Sequence, residues 1–154
     1  MLATGGNVLI MTAANRLEQE VERAGRRSQL TERGAEIEEV PVSEPAAGAD
    51  TIRLSLPDVL ARLGRREINE LWVEAGARLA GRLLDESLVD EIVLYMAPKL
   101  LGSNARPLAD IADVQQLQDA RRLAIVETRQ IGEDLRIRLR RAGDAAAHGT
   151  KAGG

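Results

Sequence analysis

The 154-residue sequence contains no cysteine and no phenylalanine, and only one histidine, one tryptophan and one tyrosine. Without cysteine the chain cannot form disulfides, cysteine-ligated zinc sites or iron–sulfur clusters, and it cannot use a thiol nucleophile. The single histidine, His148, excludes multi-histidine zinc sites and, with its tail position, a histidine-based catalytic triad. Any aromatic stacking on a ligand within this chain must rely on Trp72 or Tyr95. The absence of cysteine also fits the cytoplasm, which is the expected location.

Long hydrophobic runs and an excess of one charge are also missing. A helix needs about 18 consecutive apolar residues to cross a bilayer, and no stretch of the sequence approaches this length. The short apolar run at residues 8–11 lacks the basic flank and the length of a signal peptide. A net charge of −3, from 21 basic and 24 acidic residues, gives no reason to expect nucleic acid or an anionic membrane. With 44% hydrophobic residues, the composition predicts a soluble, folded chain of ordinary domain size.

Apolar and partly β-branched runs bounded by small or turn-forming residues predict four strands. They cover residues 7–12, 35–42, 67–74 and 90–97. The last of these is a near-continuous apolar run, which is typical of a strand buried on both faces. An antiparallel hairpin is predicted over residues 123–129 and 135–141, because both segments alternate and a turn signal lies between them.

Helical spacing of apolar residues predicts helices between the strands. The first has Asn15 as a plausible cap, and we expect it to break at Gly25 and Ser28. The second has Ser55 as its cap and is expected to end at Gly64. The resulting β-α-β-α-β-α-β-β-β order predicts an α/β fold, with a mostly parallel sheet, helices on both faces and a C-terminal antiparallel hairpin. We expect one domain over residues 1–141 and a disordered tail over residues 142–154.

The most informative junction lies between the third predicted strand and the helix that follows it. The strand ends at Val73, the carboxylate of Glu74 comes next, and small residues then lead into a helix that begins at Gly76. The first N–H groups of a helix lack partners and the helix dipole favours an anion there, so the junction predicts a pyrophosphate lying over Gly76 to Gly81. The alternative is a plain tight turn between a strand and a helix. The glycine spacing is that of a P-loop, but Arg82 stands where the lysine belongs, so no nucleoside triphosphatase is implied.

Two further side chains lie at predicted strand ends. Glu74 could hold ligand hydroxyls or a cationic group, and the alternative is a solvated carboxylate. Thr12 follows the first strand at the equivalent position, where its hydroxyl could meet a nucleotide or merely cap the strand. Lys99 could contact an anion, although an exposed lysine in a turn is the commoner case.

Residues 68–103 carry a resemblance to a known family. They closely resemble the C-terminal reductase domain of the bifunctional riboflavin-biosynthesis deaminase/reductase. Val73-Glu-Ala-Gly76, the leucine-rich helix, Val89-Asp-Glu91 and Ala97-Pro-Lys-Leu-Leu-Gly102 follow in that family's order and spacing. A weaker likeness extends over residues 6–42, and the final hairpin, with Ile131-Gly-Glu-Asp-Leu135, is also similar.

The resemblance implies a dihydrofolate-reductase-like fold and an NADPH-dependent oxidoreductase. The implied reaction reduces the ribosylamino group of a pyrimidine 5′-phosphate, 5-amino-6-(5-phosphoribosylamino)uracil, to a ribitylamino group. Glu74 resembles the carboxylate that contacts the substrate, and a homodimer is expected. No catalytic side chain and no metal ligand is assigned by the resemblance. The cofactor-binding positions that it implies are Thr12, Gly76, Ala77, Arg78, Leu79, Ala80, Gly81 and Arg82.

Parts of that family's pattern are absent from the sequence. Nothing resembles the first strand of the reductase domain or its Ser-Leu-Asp-Gly type segment, and the zinc deaminase domain is missing. The chain therefore resembles the C-terminal two-thirds of a reductase domain that lacks its first strands. Two alternatives stay open: a related reductase of the same fold acting on a pterin or another aminopyrimidine, and a non-catalytic remnant that binds a nucleotide or pairs with a partner.

Overall fold

The structure is a computed structural model that describes residues 7–13, 20–43 and 53–143. The chain divides into two compact units, Met1–Trp72 and Val73–Gly154. The predicted helix cap Asn15 and the tail beyond residue 143 lie outside the described residues. Among the helices that are described, none has the length and hydrophobicity that a membrane crossing needs.

The first unit contains a parallel strand pair joined by a helix. Strand β1 (Val8–Ala13) pairs with β2 (Ala35–Val40) along its whole length, and helix α1 (Glu20–Glu32) provides the crossover that parallel strands need. The prediction that this helix breaks at Gly25 and Ser28 is wrong, because α1 continues through both residues. A glycine inside a helix costs only about 1 kcal/mol relative to alanine, which is small beside the packing that an amphipathic helix gains.

Helix α2 (Leu56–Arg65) follows a short antiparallel pair, β3 (Val42–Ser43) with β4 (Arg53–Leu54). Its predicted cap is confirmed, since the Ser55 hydroxyl accepts a hydrogen bond from the backbone N–H of Asp58 at 3.4 Å. The expected end at Gly64 is wrong, because the helix extends to Arg65. The left-handed residue beyond the helix is Glu67, with φ 62°, so Gly64 is not needed to end it.

Ion pairs join α2 to β2 within this unit. Arg62 contacts the Glu38 carboxylate at 2.5 Å, and Arg66 reaches both Glu38, at 2.8 Å, and Glu36. Their hydrogen bonds to these guanidinium groups hold the pKa values of both carboxyls below the ordinary value. The buried hydrophobic side chains of this unit, within the described ranges, are Ala35, Val40 and Leu56.

The second unit contains helix α3 (Ala77–Asp85) and an antiparallel sheet in the order β5-β7-β6. Strands β6 (Leu123–Ile131) and β7 (Asp134–Arg141) form the predicted hairpin, which is confirmed. Gly132, with φ 63°, occupies the first turn position, where a type II′ turn requires a positive φ. Strand β5 (Glu91–Met96) pairs antiparallel with β7.

Strand β5 is less buried than expected, because it was predicted to be buried on both faces. Its last two side chains, Tyr95 and Met96, are 62% and 48% exposed. Opposite charges favour the antiparallel register, in which Glu91 lies directly across from Arg140. The α/β class is confirmed, but in the described part of the chain the parallel pairing is limited to β1 with β2.

The predicted strand at residues 67–74 does not form. These residues are neither helix nor strand, and no described strand pairs with them. The apolar side chains of Ile68, Leu71, Trp72 and Val73 are 40–71% exposed. A central strand satisfies its backbone only through neighbouring strands, so an apolar run that has no neighbour remains irregular.

The carboxylate of Glu91 is held by two arginines of β7. Arg138 donates to it at 2.8 and 2.9 Å, and Arg140 donates at 3.0 Å. The hydrogen bonds from Arg138 outweigh the effect of burial, and Arg140 adds to them, so the pKa of Glu91 falls from 4.5 to about 2. The ionised form of Glu91 therefore stabilises the folded sheet.

Replacing Glu91 with glutamine is expected to lower the melting temperature of the second unit at neutral pH by about 4–8 °C. A loss of about 1 kcal/mol produces this shift in a unit of about 80 residues. Because the pKa of Glu91 is lower in the folded state, its contribution is complete above about pH 4.5 and is lost as the pH falls towards 2. Thermal unfolding of both proteins at several pH values checks this. Asp90→Asn is the matched control, and a gap that stays constant down to pH 3 would contradict the expectation.

Candidate functional site

The start of helix α3 lies at the predicted position. Gly76 is the N-cap, with φ −73° and ψ 167°, and no side chain caps the first turn. The Gly76 carbonyl accepts hydrogen bonds from the N–H groups of Leu79 and Ala80, both at 3.1 Å. The N–H groups of Ala77 and Arg78 precede these and have no acceptor within a helix. Within the described part of the chain, two backbone donors are therefore without an acceptor at this end of α3.

The charge around this helix start also differs from that of α2. Helix α2 carries Ser55 as a capping side chain and Asp58 in its first turn, which offset its dipole. Helix α3 has no acidic residue in its first turn and carries the exposed Arg78 there. A cation is unfavourable at a helix N-terminus. An anion bound beside Arg78 would therefore interact favourably with both the guanidinium group and the helix dipole.

Gly76 itself is not required by the packing of the chain. A Cβ atom built on it would meet no atom within 4 Å, and its φ of −73° is open to any residue. The space over Gly76 is therefore free to admit a ligand close to the backbone. Together with the uncapped N–H groups and Arg78, this geometry fits a phosphate group.

Gly81 is different, because the chain itself explains it. A Cβ on Gly81 would lie 1.8 Å from the carbonyl oxygen of Asp110. The backbone N–H of Asp110 also donates to the Ala77 carbonyl at 2.9 Å. Residues 109–112, here called the strap, thus run directly against α3. Gly81 is buried beneath the strap, so this glycine has a packing role.

The remaining candidates have varied surroundings. Glu74 is exposed and forms no ion pair or hydrogen bond within the described ranges. Arg82 pairs with Glu86 at 2.8 Å, one helical turn away. Leu79 is 41% exposed and Ala80 is half-buried.

Thr12 lies in the first unit, near the carboxyl end of β1 as predicted. It is half-buried and its register partner on β2 is Glu39.

The strap is the feature that sequence reasoning missed. Its residues form neither helix nor strand. Neither its composition nor its spacing indicates that it would pack on α3. The nearest signal is Gly81 itself, since a glycine inside a helix often marks close approach of another backbone.

The candidate residues do not line the cavity of the second unit. A cavity of about 250 Å³ in the second unit is lined by side chains that include Leu84, Ile92, Leu139 and Arg122. None of the predicted site residues contributes to it. In the part of the chain that the structure describes, no group of three or more carboxylate or histidine side chains is placed to hold a metal ion.

Comparison with known proteins identifies the family. The sequence model of the RibD C-terminal domain matches residues 2–137, which is most of the chain. This chain belongs to the RibD C-terminal domain family. The resemblance of residues 68–103 is thereby confirmed, and the Gly76 site lies within the matched domain.

Individual RibD relatives match a narrower part of the chain. Riboflavin biosynthesis protein RibD of Haemophilus influenzae is 49% identical over 82 residues, which is 53% of this chain and 22% of that protein. The 5-amino-6-(5-phosphoribosylamino)uracil reductase of Buchnera aphidicola from Acyrthosiphon pisum is 39% identical over 87 residues, or 56% of this chain and 42% of that protein. The matched segment thus spans less than half of each relative.

Solved structures confirm the fold. RibD of Acinetobacter baumannii, in its form 2 structure, superposes with a TM-score of 0.63 at 26% identity, covering 87% of this chain and 37% of that chain. The fold of this chain is therefore shared, over 87% of its length, with part of that RibD.

Proposed function

We propose that this chain carries the cofactor-binding portion of an NADPH-dependent reductase of riboflavin biosynthesis. The reaction reduces the ribosylamino group of 5-amino-6-(5-phosphoribosylamino)uracil to a ribitylamino group. Membership of the RibD C-terminal domain family supports the reductase role. The observation that carries the binding proposal is the start of α3, where two uncapped N–H groups adjoin a glycine over which the space is open.

The residues of this helix start have defined tasks. The N–H groups of Ala77 and Arg78 donate to a cofactor phosphate, and the Arg78 guanidinium balances its charge. Gly76 lets the phosphate approach the backbone. Because Gly81 is covered by the strap, the phosphate lies at the Gly76 end of the segment rather than over its full length.

Glu74 lies two residues before the helix start, is exposed, and has no hydrogen-bond or ion-pair partner among the residues that the structure describes. Its carboxylate is therefore available to accept hydrogen bonds from substrate hydroxyls. The bound nicotinamide cofactor supplies the hydride, so the chain contributes binding and orientation rather than a catalytic side chain. Thr12 is proposed to contact the adenosine end of the cofactor.

The wider setting follows from the same proposal. The chain acts on a small pyrimidine phosphate in the cytoplasm, as a homodimer. The reductase portion covers residues 1–141, followed by a tail, and in the complete family architecture a zinc deaminase domain precedes it. Neither nucleic acid nor a membrane is a partner.

Substrate specificity is tested by following NADPH consumption by the purified chain. We expect consumption with 5-amino-6-(5-phosphoribosylamino)uracil and none with a pterin or another aminopyrimidine. Consumption with only one of the latter would identify a related reductase instead. An NADPH-induced rise in melting temperature without turnover would support cofactor binding by this chain, which a nucleotide-binding remnant would share. The absence of both would favour a remnant that only pairs with a partner and would contradict the proposal.

A further inference from the structure

The strap contacts α3 at three residues on one helix face. The Asp110 N–H donates to the Ala77 carbonyl at 2.9 Å, and the same residue's carbonyl lies where a Cβ of Gly81 would be. Further along, the N–H of Ala112 donates to the carboxylate of Asp85 at 3.3 and 3.4 Å. Ala77, Gly81 and Asp85 are spaced four residues apart, so they lie on one side of the helix. The strap therefore follows α3 from its first residue to its last.

Asp85 is the side chain that fastens the strap. It is the last residue of α3, where the helix dipole disfavours a carboxylate. Arg121 offsets this with an ion pair of 2.6 Å, in which the two side chains are 41% and 30% exposed respectively. The carboxylate thus joins the end of the helix, the strap and the residue that leads into β6. The contacts with Ala112 and Arg121 therefore offset the unfavourable position of this carboxylate.

We propose that Asp85 is a positioning residue for the cofactor site, an inference that rests on the proposed function and assigns a residue nine positions beyond Gly76. Asp85 holds the strap on α3, and the strap holds Asp110 against the carbonyl of Ala77. The Ala77 carbonyl shares its peptide plane with the N–H of Arg78, one of the two uncapped donors. The direction of this phosphate donor is therefore fixed through the strap, although Asp85 itself touches no cofactor atom.

The test compares Asp85→Ala and Asp85→Asn with the wild type. The dissociation constant for NADPH is measured from Trp72 fluorescence, at a temperature at which every variant is folded. We expect Asp85→Ala to raise it about fivefold, within the range reported for residues that act on a site indirectly. Asp85→Asn should raise it less, because the amide oxygen still accepts the hydrogen bond from Ala112.

Asp113→Asn is the matched control. It removes an equal charge just beyond the strap, and Asp113 forms no ion pair or hydrogen bond within the described ranges. Its dissociation constant should equal that of the wild type. If Asp85→Ala lowers the melting temperature but leaves the dissociation constant unchanged, Asp85 is only structural and the positioning role is wrong. If Asp85→Ala does not fold, Arg121→Gln and Asp85→Asn give the same comparison.

Amide hydrogen exchange separates this inference from the proposed function, because it needs no cofactor. In Asp85→Ala, the amides of Ala80, Asp110 and Ala112, which are hydrogen-bonded in the wild type, should exchange faster, whereas those of β7 should not change. If the wild type fails to bind NADPH, the proposed function fails, and the exchange data still decide whether Asp85 orders the helix start. Unchanged exchange at Asp110, whose N–H donates to the Ala77 carbonyl, would overturn the positioning role in either case.

Discussion

Replacing Gly81 with alanine is expected to lower the melting temperature of the second unit by about 4–24 °C. The added Cβ would lie 1.8 Å from the carbonyl oxygen of Asp110 and 2.5 Å from its carbonyl carbon. Since both are backbone atoms, no side chain can rotate away, and the strap must leave the helix. Overpacking of this kind typically costs about 1–3 kcal/mol, and each kilocalorie lowers the melting temperature of a small domain by about 4–8 °C.

Gly64→Ala is the control for this prediction. Gly64 also lies inside a helix, but a Cβ there meets nothing within 4 Å. Alanine should therefore leave the stability unchanged or raise it slightly, because it is the better helix former. Thermal unfolding followed by circular dichroism compares the two variants. Equal melting temperatures would show that the strap does not pack on α3.

Replacing Gly76 with leucine is expected to weaken NADPH binding at least tenfold while lowering the melting temperature by no more than about 4–8 °C, because leucine is a poorer N-cap than glycine. The side chain would fill the open space through which a phosphate reaches the N–H groups of Ala77 and Arg78. The same space contains no protein atom within 4 Å, so the fold loses no packing. Calorimetric titration with NADPH and a thermal unfolding curve together check both halves of this expectation.

Gly64→Leu provides the matched control, since it introduces the same side chain at another open glycine. Its affinity for NADPH should equal that of the wild type. If Gly76→Leu binds NADPH as tightly as Gly64→Leu does, the phosphate does not lie over Gly76. We therefore expect the two glycines of the segment to differ. Gly81→Ala should lower the melting temperature, and Gly76→Leu should weaken NADPH binding.

Local patterns predicted the local structure of this chain well. The Ser55 cap, the Gly76 helix start and the final hairpin all depend on residues close together in sequence, and all three are confirmed. The errors arose where the outcome depends on distant residues. The apolar run at residues 67–74 has the composition of a strand, but composition does not report whether neighbouring strands are present to pair with it. Gly25 did not end its helix, because the packing of the whole helix outweighs the low helix propensity of one residue.

In the candidate site, too, the features that depend on neighbouring residues were predictable and those that depend on distant residues were not. The donors at the start of α3 were predicted from a short stretch of sequence, because helix ends have general properties. The strap could not be predicted, since it approaches α3 from about thirty residues away and contacts it mainly through backbone atoms. As a result, Gly76 and Gly81 look equivalent in the sequence, whereas in the structure Gly81 lies against the Asp110 backbone and Gly76 does not.

The most direct test of NADPH binding uses Trp72, the single tryptophan of the chain. Its side chain is 71% exposed, and it precedes Gly76 by four residues, which places the two within about 14 Å along the chain. NADPH bound at the start of α3 should therefore quench Trp72 emission by energy transfer to the nicotinamide. Purified protein is titrated with NADPH and then NADH, with free tryptophan as the control for inner-filter loss. Saturable quenching by NADPH, weaker with NADH, is the predicted result, and a curve identical to the free-tryptophan control would contradict the proposed cofactor site.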